Sequence, residues 1–175
     1  MSNVKIYNKI IHLCSFNENV TQSGAHLVTA VAMNFRILLV DDNRAILFAM
    51  QDYLAAAGYQ VDCACDQKEA ESLLNRYAYA ALITDLRLTG SGSTEGFDVA
   101  RYALERHPSI CTILLTAHDS LEIRKAAYEH GIDLCLGKPT PLHEIGERVW
   151  DLLRVSGADA PDPNHVDATL VGANA

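Results

Sequence analysis

Basic residues are the minority charge in this 175-residue sequence: 14 Lys and Arg stand against 22 Asp and Glu, a formal net charge of −8. That balance excludes nonspecific binding to nucleic acid or to an anionic membrane, either of which needs a basic face. Long apolar runs are also missing. No stretch is long enough to span a bilayer, and Lys5 and Lys9 are not followed by the continuous apolar segment of a secretory leader. Cysteine is sparse: Cys14, Cys63, Cys65, Cys111 and Cys135 make an odd number and contain no CxxC pair. Three fall in apolar stretches, so they read as buried, reduced thiols and place the chain in the cytoplasm. Cys63 and Cys65 share one face of a strand, but two ligands alone make a poor metal site.

What is present is the composition of a soluble globular domain, with 49% hydrophobic and 21% charged residues. A regular pattern runs from Phe35 to about Arg154. Apolar runs at Arg36–Val40, Tyr59–Ala64, Ala80–Thr84, Ile110–Leu115 and Leu134–Gly137 are near-continuous rather than alternating, as in strands covered on both faces. Helical spacing fills the gaps. Asn43 caps a helix carrying Ile46, Met50, Tyr53, Leu54 and Ala57, with Gly58 as its stop. Asp66 and Glu69 resemble a capping box ahead of Ala70, Leu73 and Leu74. Residues 95–106 and 120–130 give two more helices. The last is expected to begin with Thr140 as cap and Pro141 at its first position, and carries Leu142, Ile145, Val149, Leu152 and Leu153. Five strand–helix units in strict alternation predict a doubly wound α/β fold. Residues 1–34 read as an N-terminal extension, poorly ordered or a short helix. Residues 155–175, rich in Pro, Gly, Asp and Ala, read as a disordered tail.

The polar residues that close the strands are not random. Asp41 and Asp42 follow the first, Asp85 the third, Thr116 the fourth and Lys138 the fifth. In an open parallel sheet these carboxyl ends gather along one edge, where ligands bind. Three carboxylates in one cleft repel, and a hard divalent cation such as Mg²⁺, or Mn²⁺ in its place, removes the conflict. An aspartate can act as nucleophile toward phosphorus and form an acyl phosphate. Lys138 and a cation would neutralise the equatorial oxygens, and Thr116 could donate to one of them.

The segments Ile37–Asn43, Leu82–Leu88, Leu114–Ala117 and Lys138–Pro139 together resemble the receiver domain of two-component response regulators, in the single-domain form of the chemotaxis regulators. The resemblance covers residues 35–154. It implies a five-stranded flavodoxin-like parallel sheet of order 2-1-3-4-5 with helices on both faces. Asp85 matches the phosphoacceptor. Asp42 matches the direct metal ligand, Asp41 its water-mediated partner, and the backbone carbonyl of Arg87 a third protein ligand. Thr116 matches the switch hydroxyl, Ala117 the small neighbour that admits the phosphoryl group, and Lys138 the phosphate-binding lysine ahead of a cis proline. The implied function is a phosphorelay response regulator, not an enzyme beyond its own phosphorylation and dephosphorylation. Its donor would be a histidine kinase or histidine phosphotransfer protein. Its output would be a protein contact through about residues 119–154, with no direct DNA or membrane binding.

The sequence departs from the family in three places. Cys135 stands where an aromatic switch residue is usual. Thr89 replaces a proline, and the loop 90–96 is longer than usual. Arg87 and His118 hold the variable positions that tune dephosphorylation. Two other readings compete. One is a phosphorylation-independent interaction module with the same fold, motivated by Cys135. The other is a phosphatase of the haloacid dehalogenase type, which Arg87 opposes by standing where a second aspartate is required. His118, His130 and His143 read as surface residues. The Gly/Ser loop lacks the lysine and serine of a phosphate-cradling loop and reads as flexible surface.

Overall fold

The computed structural model describes residues 35–90 and 93–156. The expected N-terminal extension, nearly all of the expected tail, Cys14, and Ser91 and Gly92 of the Gly/Ser loop lie outside the described residues. The strands are β1 (Arg36–Val40), β2 (Gln60–Ala64), β3 (Ala81–Asp85), β4 (Cys111–Thr116) and β5 (Leu134–Gly137). The helices alternate with them as α1 (Arg44–Ala56), α2 (Gln67–Arg76), α3 (Glu95–Arg106), α4 (Leu121–Glu129) and α5 (Leu142–Val155). All strand pairs are parallel, in the order β2-β1-β3-β4-β5 that the family resemblance implied.

Side chains alternate across a strand, so each central strand feeds two cores. Ile37, Leu39, Ile83, Ile113 and Leu115 pack with Leu47, Met50 and Leu54 of α1 and Ile145, Val149 and Leu153 of α5. Leu38, Val40, Leu82 and Leu114 pack on the opposite face with Leu74, Val99, Ala100, Ala103 and Ala127 from α2, α3 and α4. Both faces are covered, which explains why the strands read as unbroken apolar runs.

Local signals placed most helix ends. The Asn43 side chain accepts from the amides of Ala45 and Ile46, and Asp66 from that of Glu69. Glu69 reaches back one residue further than a capping box requires, to the Cys65 amide at 2.8 Å. Gly58 (φ 94°) and Gly131 (φ 78°) turn the chain after α1 and α4 in a conformation that other residues resist. The start of α5 differs from expectation. Pro141 itself is the cap residue, and the Thr140 hydroxyl donates instead to the Gly137 carbonyl at 2.6 Å. That hydrogen bond ties the loop after β5 back to the strand end, and α5 begins without a side-chain cap.

At the sheet edge, Asp62 of β2 accepts from Arg36 of β1 and from the Tyr79 hydroxyl, each at 2.8 Å. Arg36 also lies over the Tyr77 ring.

One close approach fixes α3 against the end of β3. A Cβ added to Gly96 would fall 2.2 Å from the Asp85 carbonyl oxygen and 2.8 Å from Leu86 Cα. Both are backbone atoms, so relief requires the helix to move. Gly96→Ala should cost about 2–3 kcal/mol of stability, at the upper end of overpacking effects. A urea midpoint unchanged from the parent would contradict this packing.

Candidate functional site

The carboxyl ends of β1, β3, β4 and β5 meet at one edge, and the candidate residues meet there with them. Asp41 follows β1 directly and is buried. Its Oδ1 accepts from the Asn43 amide at 2.9 Å, which aims its Oδ2 at Lys138 Nζ, 2.6 Å away. Lys138 Nζ also lies 3.1 Å from Asp85 Oδ1. Asp85, the last residue of β3, is half-buried, and Asp42 is exposed. The Lys138 amide donates to the Thr116 carbonyl at 2.7 Å, extending the β4–β5 pairing one residue past the strands and holding the lysine over the cleft. The Lys138–Pro139 bond is cis.

Three carboxylates against one ammonium leave the cleft short of positive charge. Burial pushes the Asp85 carboxyl above its ordinary range. Lys138 pulls it back, Asp41 adds to the rise, and the net direction is upward. Burial also disfavours the charged Lys138, but its bonds to Asp41 and Asp85 outweigh that effect and keep it protonated. Oxygens of Asp41, Asp42 and Asp85 lie within 4.8 Å of one another. Oxygens facing each other across one Ca²⁺ are about 4.8 Å apart, and across one Mg²⁺ about 4.2 Å. The donor set is all-oxygen and acidic, so it fits a hard divalent cation, with a slight contraction or one water-bridged carboxylate for the smaller ion.

Thr116 ends β4, buried, with its hydroxyl turned onto its own loop. It accepts from the His118 amide at 3.1 Å and donates to the His118 carbonyl at 3.3 Å. Ala117 and His118 are exposed and Arg87 is half-buried. His130 and His143 are exposed as expected, but the His130 ring stacks on Phe97 with centroids 4.6 Å apart. Cys135 is half-buried and, like Ile123 and Ala126 of α4, packs against the core that includes Leu114 and Ala127. Burial, first, and nearby Asp119 push its thiol up, so it is a packing residue and a poor nucleophile. Cys63 behaves alike, pushed up to about 11.

Two features of the site were not anticipated. The shorter contact of Lys138 is with Asp41 rather than Asp85. Gly96 is what lets α3 reach the backbone of Asp85. A glycine one residue into an expected helix was the only sequence signal for the second, and no signal marked the first.

An acid raised in the folded state holds its proton more tightly there than in the unfolded chain. Its stabilising contribution is complete below the ordinary value of 3.8 and is lost as pH climbs through the folded value. In metal-free buffer the stability of the parent relative to Asp85→Asn should therefore decline as pH rises from 3.8. Urea titrations of both proteins across that window measure it, and a constant difference would contradict the raised carboxyl.

Comparison with known proteins agrees with this geometry. The family described as the response regulator receiver domain matches residues 37–150. The response regulator MprA of Mycobacterium sp. (strain KMS) is 33% identical over 142 residues, 79% of this chain and 60% of that one. The chain thus spans about 60% of the length of the curated relatives it matches first. Among solved structures, the CheY-like receiver domain protein of Methanospirillum hungatei JF-1 superposes with a TM-score of 0.65 at 25% identity, covering 71% of this chain and 97% of that one. A Burkholderia pseudomallei response regulator, solved with a phosphorylated aspartic acid, a calcium ion and citrate, has a TM-score of 0.59 at 24% identity and covers 64% of each chain. With its sheet order, its acidic strand-end cluster and these matches, the chain belongs to the family of response regulator receiver domains.

Proposed function

We propose that Asp85 accepts a phosphoryl group from a histidine kinase or histidine phosphotransfer protein, and that the domain passes the signal on by protein contact or onward transfer. The observation that carries this is the placing of Lys138 between Asp41 and Asp85 at the mouth of an acidic strand-end cleft. A carboxylate oxygen of Asp85 attacks phosphorus. The bond from phosphorus to the donor's imidazole nitrogen breaks, and the imidazole leaves with its electron pair and takes up a proton. Lys138 Nζ is already within reach of Asp85 and follows the charge onto the phosphoryl oxygens. Asp42, Asp41, Asp85 and the Arg87 carbonyl are the proposed holders of Mg²⁺, which when bound would supply the remaining positive charge. Thr116 exchanges its bonds to His118 for one to a phosphoryl oxygen, and Ala117 leaves that approach open. Arg87 and His118 flank the path of attacking water and tune the lifetime of the acyl phosphate. The phosphoaspartate and cation of the Burkholderia protein support the same chemistry here.

An apolar groove of about 450 Å³ opens beside the cleft, lined by Ile46, Met50, Pro139, Leu142 and Ile145, with Lys138 at its rim. It is the proposed seat of the phosphoryl donor. Output is proposed through α4, β5 and α5, about residues 119–154, where Leu121 and Tyr128 are exposed.

The phosphorylation-independent reading rests on Cys135. Its small side chain is packed at the edge of a buried core and cannot act as a rotating aromatic. Beryllofluoride with Mg²⁺ separates the two: shifts at residues 116–138 support switching, and their absence supports the passive module.

With acetyl phosphate and Mg²⁺ the parent should take up label on Asp85, while Asp85→Asn and Asp85→Ala should show none. Lys138→Ala should label about 100–1,000-fold more slowly, as expected for loss of one preorganised charge. Intact-mass measurement of each variant decides this, and label on Asp85→Ala would sink the proposal. Asp42→Asn should weaken Mg²⁺ binding about tenfold or more, read as a loss of Mg²⁺-dependent thermal stabilisation.

A further inference from the structure

Between Thr116 and α4 lie only Ala117, His118, Asp119 and the cap residue Ser120. Asp119 is not loose in this loop. Its Oδ1 accepts from Arg124 Nε at 2.6 Å, and its Oδ2 accepts from Arg124 Nη2, a two-pronged ion pair to the first turns of α4. Arg124 holds the Asp119 carboxyl below its usual range. The carboxylate is also backed by Gly137, the last residue of β5. A Cβ on Gly137 would lie 3.0 Å from Asp119 Cβ and 3.1 Å from its Oδ2. Gly137 is the register partner of Thr116 and immediately precedes Lys138. Asp119 is therefore gripped by α4 on one side and seated on the β5 backbone on the other.

This grip has a mechanical consequence. Thr116 and Asp119 are three residues apart and can be separated by at most about 10 Å of chain. The Thr116 hydroxyl holds the loop through both the amide and the carbonyl of His118. If that hydroxyl donates to a new acceptor at Asp85, the bond it donates to the His118 carbonyl is released and the loop readjusts. Gly137 blocks Asp119 from yielding toward β5. Asp119 is open to solvent on its outer side, and while the bidentate pair holds, a shift of Asp119 in that direction carries Arg124, and with it the start of α4.

The geometry points to the Asp119–Arg124 ion pair, seated on Gly137, as the element that transmits the state of Thr116 to α4. The inference rests on the reading of Asp85 as phosphoacceptor and names how that site would be read out. Arg124 and Asp119 are positioning residues in this scheme. Neither belongs to the phosphoryl cleft, and both act on α4 through the loop. The coupling is a shift between two loop arrangements, biased by which acceptor Thr116 engages.

The test uses the full chain, isotopically labelled for amide resonances, with Mg²⁺ and beryllofluoride as the phosphoryl mimic. In the parent, shifts are expected around Asp85, at 116–119 and along α4. In Arg124→Ala the shifts around Asp85 and Thr116 should persist while those along α4 shrink by about threefold or more. Acetyl phosphate labelling of the variant should stay within about twofold of the parent, a separation that a general loss of structure would not give. Asp119→Asn removes the charge without removing a side chain. It should give the same split, and it decides the matter if Arg124→Ala loosens α4 by itself. Full α4 shifts in Asp119→Asn would overturn the inference. So would a parent that responds at Asp85 and Thr116 but not along α4, and that result would leave the phosphoacceptor reading standing. A parent with no response and no labelling would overturn both.

Discussion

Lys138 Nζ sits 2.6 Å from one carboxylate and 3.1 Å from another, and most of what surrounds it is arranged to keep it there. Three acids at one strand edge resist ionising together, and Asp85 is raised for that reason among others. A single ammonium at the centre makes the arrangement tolerable without neutralising it. The residual negative charge suits the cleft to a hard divalent cation, and the proposed phosphoryl group would give Lys138 a third partner. The folded state carries a local cost at this edge that its chemistry requires.

The rest of the fold positions these charges. Parallel order brings the ends of β1 and β3 side by side although α1, β2 and α2 separate them in sequence. The amide of Lys138 extends the β4–β5 ladder, so the lysine stem leaves the sheet at a fixed height. Gly96 lets α3 close against the Asp85 carbonyl without a side chain in between. Apolar packing on both sheet faces gives the rigidity that a site on strand ends needs.

The parts of this molecule that were legible in the sequence are those governed by local rules. Unbroken apolar runs marked the buried parallel strands. Asn43, Asp66 and Gly58 marked helix ends, and the polar residue closing each of four strands marked the cleft. The parts that were not legible depend on distances across the fold. No spacing rule says whether Lys138 prefers Asp41 or Asp85. The Asn43 amide decides it by orienting Asp41. Thr140 and Pro141 carried a reasonable cap signal, but the cap position falls on Pro141 and the Thr140 hydroxyl is tied to the Gly137 carbonyl. No sequence pattern pairs Asp119 with Arg124 or seats the carboxylate on Gly137, a contact that arises across the fold.

The network at β2 has a bearing on how such a chain lives in solution at high concentration. β2 is an outer strand, and an outer strand offers unpaired amides and carbonyls to any other extended chain. Asp62, near its middle, is anchored by Arg36 and Tyr79, so a charged, hydrogen-bonded residue interrupts what would otherwise be a short apolar ribbon. A foreign strand added there would lie beside a charged, hydrogen-bonded residue, one of the devices by which outer strands resist edge-to-edge pairing.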